Sequence, residues 1–133
     1  MAKILVLEDN LLGLDLLQSL LTLKGHEVLF AMDGRSGLEQ IRVCQPDLVI
    51  SDVDMPEMNG LEVLQHLRQN PTTATLPVII YTSADEGIYR NTVKQLQAAY
   101  LTKPFEINEM MAIVTQQLEG GFEGGSEGRS VPA

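Results

Sequence analysis

Apolar positions follow two alternating rhythms along the chain. Short, nearly continuous apolar runs recur at Lys3-Leu7 (KILVL), Glu27-Ala31 (EVLFA), Leu48-Ser51 (LVIS), Val78-Tyr81 (VIIY) and Ala99-Thr102 (AYLT). Between them lie longer stretches whose apolar residues are spaced three and four apart. Runs apolar at almost every position suit strands covered on both faces, and their β-branched content and flanking Gly and Pro distinguish them from buried helix. Five strands alternating with helical segments predict a parallel sheet with crossover helices on its faces.

The first helix is the most clearly delimited. Asn10 can cap it, Leu14, Leu17 and Leu21 form one stripe with Leu20 beside them, Lys24 suits the last turn, and Gly25 stops it. That stripe reads as core. Asp33 caps a second helix with Leu38 and Ile41 inward, and Asn59 caps a third in which Leu61, Leu64 and Leu67 recur before Pro71. From Asp85 to Leu96 the apolar positions Ile88, Val93 and Leu96 are sparse, which predicts a short or mobile helix. Glu106 to Leu118 closes the pattern, acidic at its start and with Ile107, Met110, Val114 and Leu118 on one face. Beyond Leu118 glycine dominates and Phe122 is the only large apolar residue before Pro132, so residues 1–118 read as one domain and 119–133 as a flexible tail or linker.

Composition narrows the picture. The chain has 133 residues, 44% of them hydrophobic, enough for one domain with a substantial core and without an apolar run long enough for a membrane span. No secretory pattern is present at the start, and the single Cys44 excludes an intramolecular disulfide or a multi-cysteine zinc cluster, so a cytoplasmic location is expected. With 18 acidic and 9 basic residues the net charge is −9, and no Lys/Arg cluster offsets it. Such a surface repels phosphate backbones and anionic lipid, so neither direct nucleic-acid binding nor membrane binding is expected.

In an open parallel sheet the binding site lies beyond the carboxyl ends of the strands. Glu8 and Asp9 follow the first strand, Asp52 the third, Thr82 and Ser83 the fourth, and Lys103 and Pro104 the fifth. Three carboxylates brought together require a shared proton or a cation, and oxygen-only ligands favour magnesium, or manganese, over zinc. A cation, an ammonium and a hydroxyl around a carboxylate nucleophile suit transfer of a phosphoryl group to form an acyl phosphate. Taken alone, Glu8-Asp9 would be helix-capping charge, Asp54 a loop residue, Thr82 and Ser83 turn formers, and Tyr100 a packed aromatic. His26 and His66 read as solvent-facing, and Cys44 as a filler at a helix end.

The segments ILVLEDN, PDLVISDVDMPEMNG, LPVIIYTSA and YLTKPF, in this order and spacing across residues 1–118, resemble the four signature blocks of response-regulator receiver domains. The resemblance implies a flavodoxin-like three-layer α/β sandwich with strand order 2-1-3-4-5 and five helices. It implies that Glu8, Asp9 and Asp52 hold Mg²⁺ together with the Asp54 backbone carbonyl, and that Asp52 accepts the phosphoryl group. Thr82 is implied as the hydroxyl that moves onto that group, Lys103 as its cationic partner, Tyr100 as an aromatic switch, and Lys103-Pro104 as a cis peptide. The implied partners are a histidine kinase or phosphotransfer protein and a downstream effector, with a phosphorylation-dependent homodimer compatible with the family. The implied domain supports its own phosphoryl transfer and dephosphorylation without turning over a free substrate.

The sequence departs from the common pattern at Glu8, one methylene longer than aspartate, and at Gln97-Ala98-Ala99, where Gly-Ala is usual. Asp54 and Ala84 stand at positions that tune phosphoryl lifetime in this family. Three other readings compete. One is a receiver fold acting as an interaction module independently of phosphorylation. Another is a phosphatase, since Asp52-Val53-Asp54 also resembles the aspartate pair of haloacid-dehalogenase-type enzymes, although that pair follows the first strand there. The third, a flavin-binding protein, is disfavoured because Glu8-Asp9 would repel a cofactor phosphate.

Overall fold

A computed structural model describes residues 2–83 and 89–120. The elements follow in the order β1 (Lys3–Leu7), α1 (Leu11–Leu23), β2 (Glu27–Ala31), α2 (Gly34–Cys44), β3 (Leu48–Asp52), α3 (Gly60–Gln69), β4 (Val78–Thr82), α4 (Arg90–Gln95), β5 (Ala99–Thr102) and α5 (Ile107–Gly120). All strand pairings are parallel, and the strand order is β2-β1-β3-β4-β5. This is the expected flavodoxin-like arrangement. β3 and β4 each run one residue further than their apolar runs, which makes Asp52 and Thr82 the terminal residues of buried strands.

Strand side chains alternate between faces, and the core divides accordingly. Leu5, Leu7, Val49, Val78 and Ile80 pack under α2, α3 and α4 with Ile41, Val63, Leu64, Leu67 and Val93. Ile4, Val6, Ile50, Ile79 and Leu101 pack under α1 and α5 with Leu14, Leu17, Leu21, Met110 and Val114. The sheet is therefore the middle of three layers. Carried past the strand ends, the same alternation assigns Glu8, Asp52, Tyr81 and Lys103 to the α1 and α5 side. Thr82 and Tyr100 share the parity of the opposite side.

The helix starts follow local chemistry. Asn10 Oδ1 accepts from Gly13 N at 3.0 Å, and Asp33 Oδ1 accepts from Ser36 N at 2.7 Å. Asn59 and Glu62 form a reciprocal capping box at α3, each side chain accepting from the other's backbone N–H at 2.9 Å. Gly25, at φ +91°, provides the left-handed residue after α1.

Several expectations are corrected. Lys24 lies just past α1 as its C-cap. On α1 the core stripe is as expected, but Leu11, Leu12, Leu16 and Leu23 are exposed. α5 begins at Ile107 and runs to Gly120. Ile107 itself is 47% exposed, and Gln117 takes the inner position beside Met110 and Val114, because the three-four spacing counted from Met110 reaches 117 while Leu118 packs at the margin. His26 is half-buried, and its Nδ1 accepts from Ala2 N at 3.2 Å. Burial lowers its pKa, which suits a neutral acceptor. α4 is short, as its sparse pattern predicts. Ala84, Asp85, Ile88 and the tail from 121 onward, including Phe122, lie outside the described residues.

Candidate functional site

The loops after β1, β3, β4 and β5 meet around a cleft of about 670 Å³ at the carboxyl edge of the sheet. Its walls include Glu8, Asp9, Asp52, Asp54, Ser83 and Lys103. Asp52, 5% exposed, sits at the floor. Its Oδ2 accepts from Lys103 Nζ at 2.8 Å and its Oδ1 accepts from Asp54 N at 3.1 Å. The β3 terminus is held from below, where Ser51 Oγ donates to the Asp52 carbonyl at 2.8 Å. Gly60 lies so close that a Cβ there would stand 2.2 Å from the same oxygen.

Lys103 is positioned from two directions. Its backbone N–H donates to the Thr82 carbonyl at 2.9 Å, and the Lys103-Pro104 peptide is cis, as expected. Its ammonium also lies 3.6 Å from Glu8 Oε1 and 4.7 Å from the centroid of the Tyr81 ring. Burial works to lower the Lys103 pKa, but the hydrogen bond to Asp52 and the charges of Asp52 and Glu8 outweigh it and raise the group above its ordinary value. The ammonium is thus firmly protonated at neutral pH.

Glu8 is 1% exposed. Its Oε2 accepts from Asn10 N at 3.0 Å, and its Oε1 accepts a hydrogen bond from the Tyr81 hydroxyl. Burial, then the hydrogen bond and charge of Glu8, hold the Tyr81 phenol well above its usual pKa, so it remains a neutral donor. Phe105 meets the Tyr81 ring edge-on at 5.9 Å. No sequence motif singles out Tyr81. The usable signal was its register opposite Asp52, which fixes the strand parity that faces Glu8.

The other expected residues are distributed unevenly. Asp9 and Asp54 are exposed at the mouth of the cleft. Thr82 is fully buried at the end of β4 and is not among the described residues lining the cleft, whereas Ser83 is. Tyr100 is half-buried with its hydroxyl oxygen shielded from solvent, and the Arg90 guanidinium lies 4.7 Å above its ring. Oxygen-only donors suit a hard divalent cation. In the described arrangement Asp9 and Asp54 are the exposed carboxylates, while Asp52 is held by Lys103 and the Asp54 N–H and Glu8 by Tyr81 and Asn10. Among the described residues no three His, Cys, Asp or Glu side chains are gathered into a metal-ligating group.

The sequence profile of the response regulator receiver domain matches residues 4–115. The chain is 33% identical over 121 residues to Protein PilH of Pseudomonas aeruginosa, covering 90% of this chain and all of that protein. It is 34% identical to the DNA-binding dual master transcriptional regulator RpaA of Synechocystis over 86% of this chain, and there it spans only 48% of the relative. Among solved structures, the receiver domain of a signal transduction histidine kinase from Syntrophus aciditrophicus superposes with a TM-score of 0.83 at 29% identity, covering 90% of this chain and 92% of that one. The signature blocks, the strand order and the Asp52-Lys103 pair at the sheet edge agree with this likeness. The chain belongs to the response-regulator receiver-domain family.

Proposed function

We propose that this domain accepts a phosphoryl group on Asp52 from a histidine kinase or phosphotransfer protein and relays the change to a downstream effector. The observation that carries the reading is the Asp52 carboxylate, buried at the floor of the cleft with one oxygen on Lys103 and the other on a backbone N–H. In transfer, an Asp52 oxygen forms a bond to phosphorus as the donor's P–N bond breaks. The departing imidazole nitrogen keeps the electron pair and takes up a proton. Lys103 then faces an acyl phosphate in place of a carboxylate, and its protonated ammonium can pair with a phosphoryl oxygen.

Asp9, Asp52 and the Asp54 carbonyl, with Glu8, are the residues that would hold Mg²⁺ or Mn²⁺. When bound, the cation supplies positive charge to the phosphoryl oxygens during transfer. Conversion of the Asp52 carboxylate to an acyl phosphate adds about one net negative charge and three phosphoryl oxygens beside Thr82 and Lys103, which would shift the ends of β4 and β5, and through them Tyr100, α4 and α5. Asp54 at the mouth is placed to influence how long the phosphoryl group survives. The domain supports its own phosphoryl transfer and loss without turning over a free substrate.

Incubation with a phosphohistidine-bearing donor protein should label the chain with an acyl phosphate cleaved by hydroxylamine, and Asp52→Asn should remain unlabelled. Equal labelling of the variant would defeat the assignment. Identical effector binding by labelled and unlabelled protein would instead favour an interaction module independent of phosphorylation.

A further inference from the structure

We infer that Tyr81 is a positioning residue that holds Glu8 away from the divalent cation and thereby weakens cation binding at the cleft; this inference rests on the metal-assisted reading given above. Glu8 borders the cleft, but it is 1% exposed and both of its carboxylate oxygens are engaged. Its Oε1 takes the Tyr81 hydroxyl, lies 3.6 Å from Lys103 Nζ, and is roofed by α1 so closely that a Cβ at Gly13 would stand 3.3 Å away. Its Oε2 takes the Asn10 N–H at 3.0 Å.

A small hard cation demands ligand oxygens at about 2.1 Å in near-octahedral directions. An oxygen already receiving a phenol, beside an ammonium and under a helix, offers no such open direction. To join Asp9 and Asp52 around a cation, Glu8 must release Tyr81. The hydroxyl therefore stabilises the cation-free arrangement, and the cost of releasing it is subtracted from cation affinity.

The aromatic ring has a separate task. Packed against Phe105 and under the Lys103 ammonium, it fills the α1 and α5 side of the sheet edge whether or not the hydroxyl is present. Tyr81→Phe removes the hydrogen bond while keeping that packing. It leaves Glu8 one donor short, a buried carboxylate that gains more from a cation.

The test is calorimetric titration of the chain with MgCl₂ alone. Tyr81→Phe should bind Mg²⁺ at least several-fold more tightly than wild type, and the same substitution in a Glu8→Gln background should leave affinity unchanged. In wild type, saturating Mg²⁺ should shift tyrosine absorption to shorter wavelength as the phenol loses its carboxylate acceptor, a readout that needs no variant. Equal or weaker affinity in Tyr81→Phe, an equal gain in the Glu8→Gln background, or an unchanged wild-type spectrum at saturation would each overturn the role of Tyr81 while leaving the metal reading intact. A wild-type chain that binds no Mg²⁺ would overturn that reading and this inference with it.

Discussion

At the scale of single residues, the site is an arrangement of compensated charge. Asp52 and Glu8 are buried carboxylates, and Lys103 lies against both of them. Lys103 and Tyr81 both hold their protons more tightly in the fold than at their ordinary values of 10.5 and 10.0. For both groups the unfolded chain loses its proton first, so it binds fewer protons and stability falls as pH rises. Their contribution is fully present below about pH 10 and declines above it. Thermal unfolding followed by circular dichroism from neutral pH upward should show that decline, and Tyr81→Phe should make it shallower. An equally steep decline in the variant would contradict the placement of Tyr81. Gly60 provides a steric check, because a methyl there would collide with the Asp52 carbonyl. Gly60→Ala should destabilise the fold by about 3 kcal/mol, read as a lower urea midpoint.

At the scale of elements, local chemistry explains which features could be read in advance. β1, β2 and β5 were legible from apolar runs alone, and the caps Asn10, Asp33 and Asn59 from residue type at the start of a periodic stretch. Asn59→Ala should remove the half of the α3 capping box in which the Asn59 side chain accepts from Glu62 N, while keeping the backbone N–H that donates to Glu62, and cost about 1 kcal/mol, measurable by urea unfolding. No loss of stability would mean the box is idle. The inner face of α5 departs from the apolar pattern: Ile107 is apolar and Gln117 polar, yet helical geometry buries Gln117 and exposes Ile107. Polarity gives way there to the position a residue occupies on the helix. Arg68 was not anticipated at all. It reaches across from α3 to the Leu96, Thr73 and Gln97 carbonyls, and burial lowers its pKa. Those long-range partners leave no signature in spacing. They meet at the point where Gln97 adopts φ 59°, in the left-handed region.

For the whole molecule, the net charge of −9 resolves into parts with different meanings. Glu119, Glu123 and Glu127 belong to the glycine-rich end, while Glu8, Asp9 and Asp52 surround one cleft. The signature blocks placed Asp52 and Lys103 at one sheet edge, and the fold brings them into contact. What spacing could not supply was the hydrogen bonding inside that cleft, where a phenol from β4 occupies the carboxylate expected to face a cation. Among the described residues no helix is long and apolar enough to cross a membrane. The account's central claim is that Asp52 is the phosphoryl acceptor, and intact mass after incubation with a small acyl-phosphate donor and Mg²⁺ tests it most directly. Wild type should gain the mass of one phosphoryl group and Asp52→Asn none. An unchanged wild-type mass, or the same gain in the variant, would contradict the account.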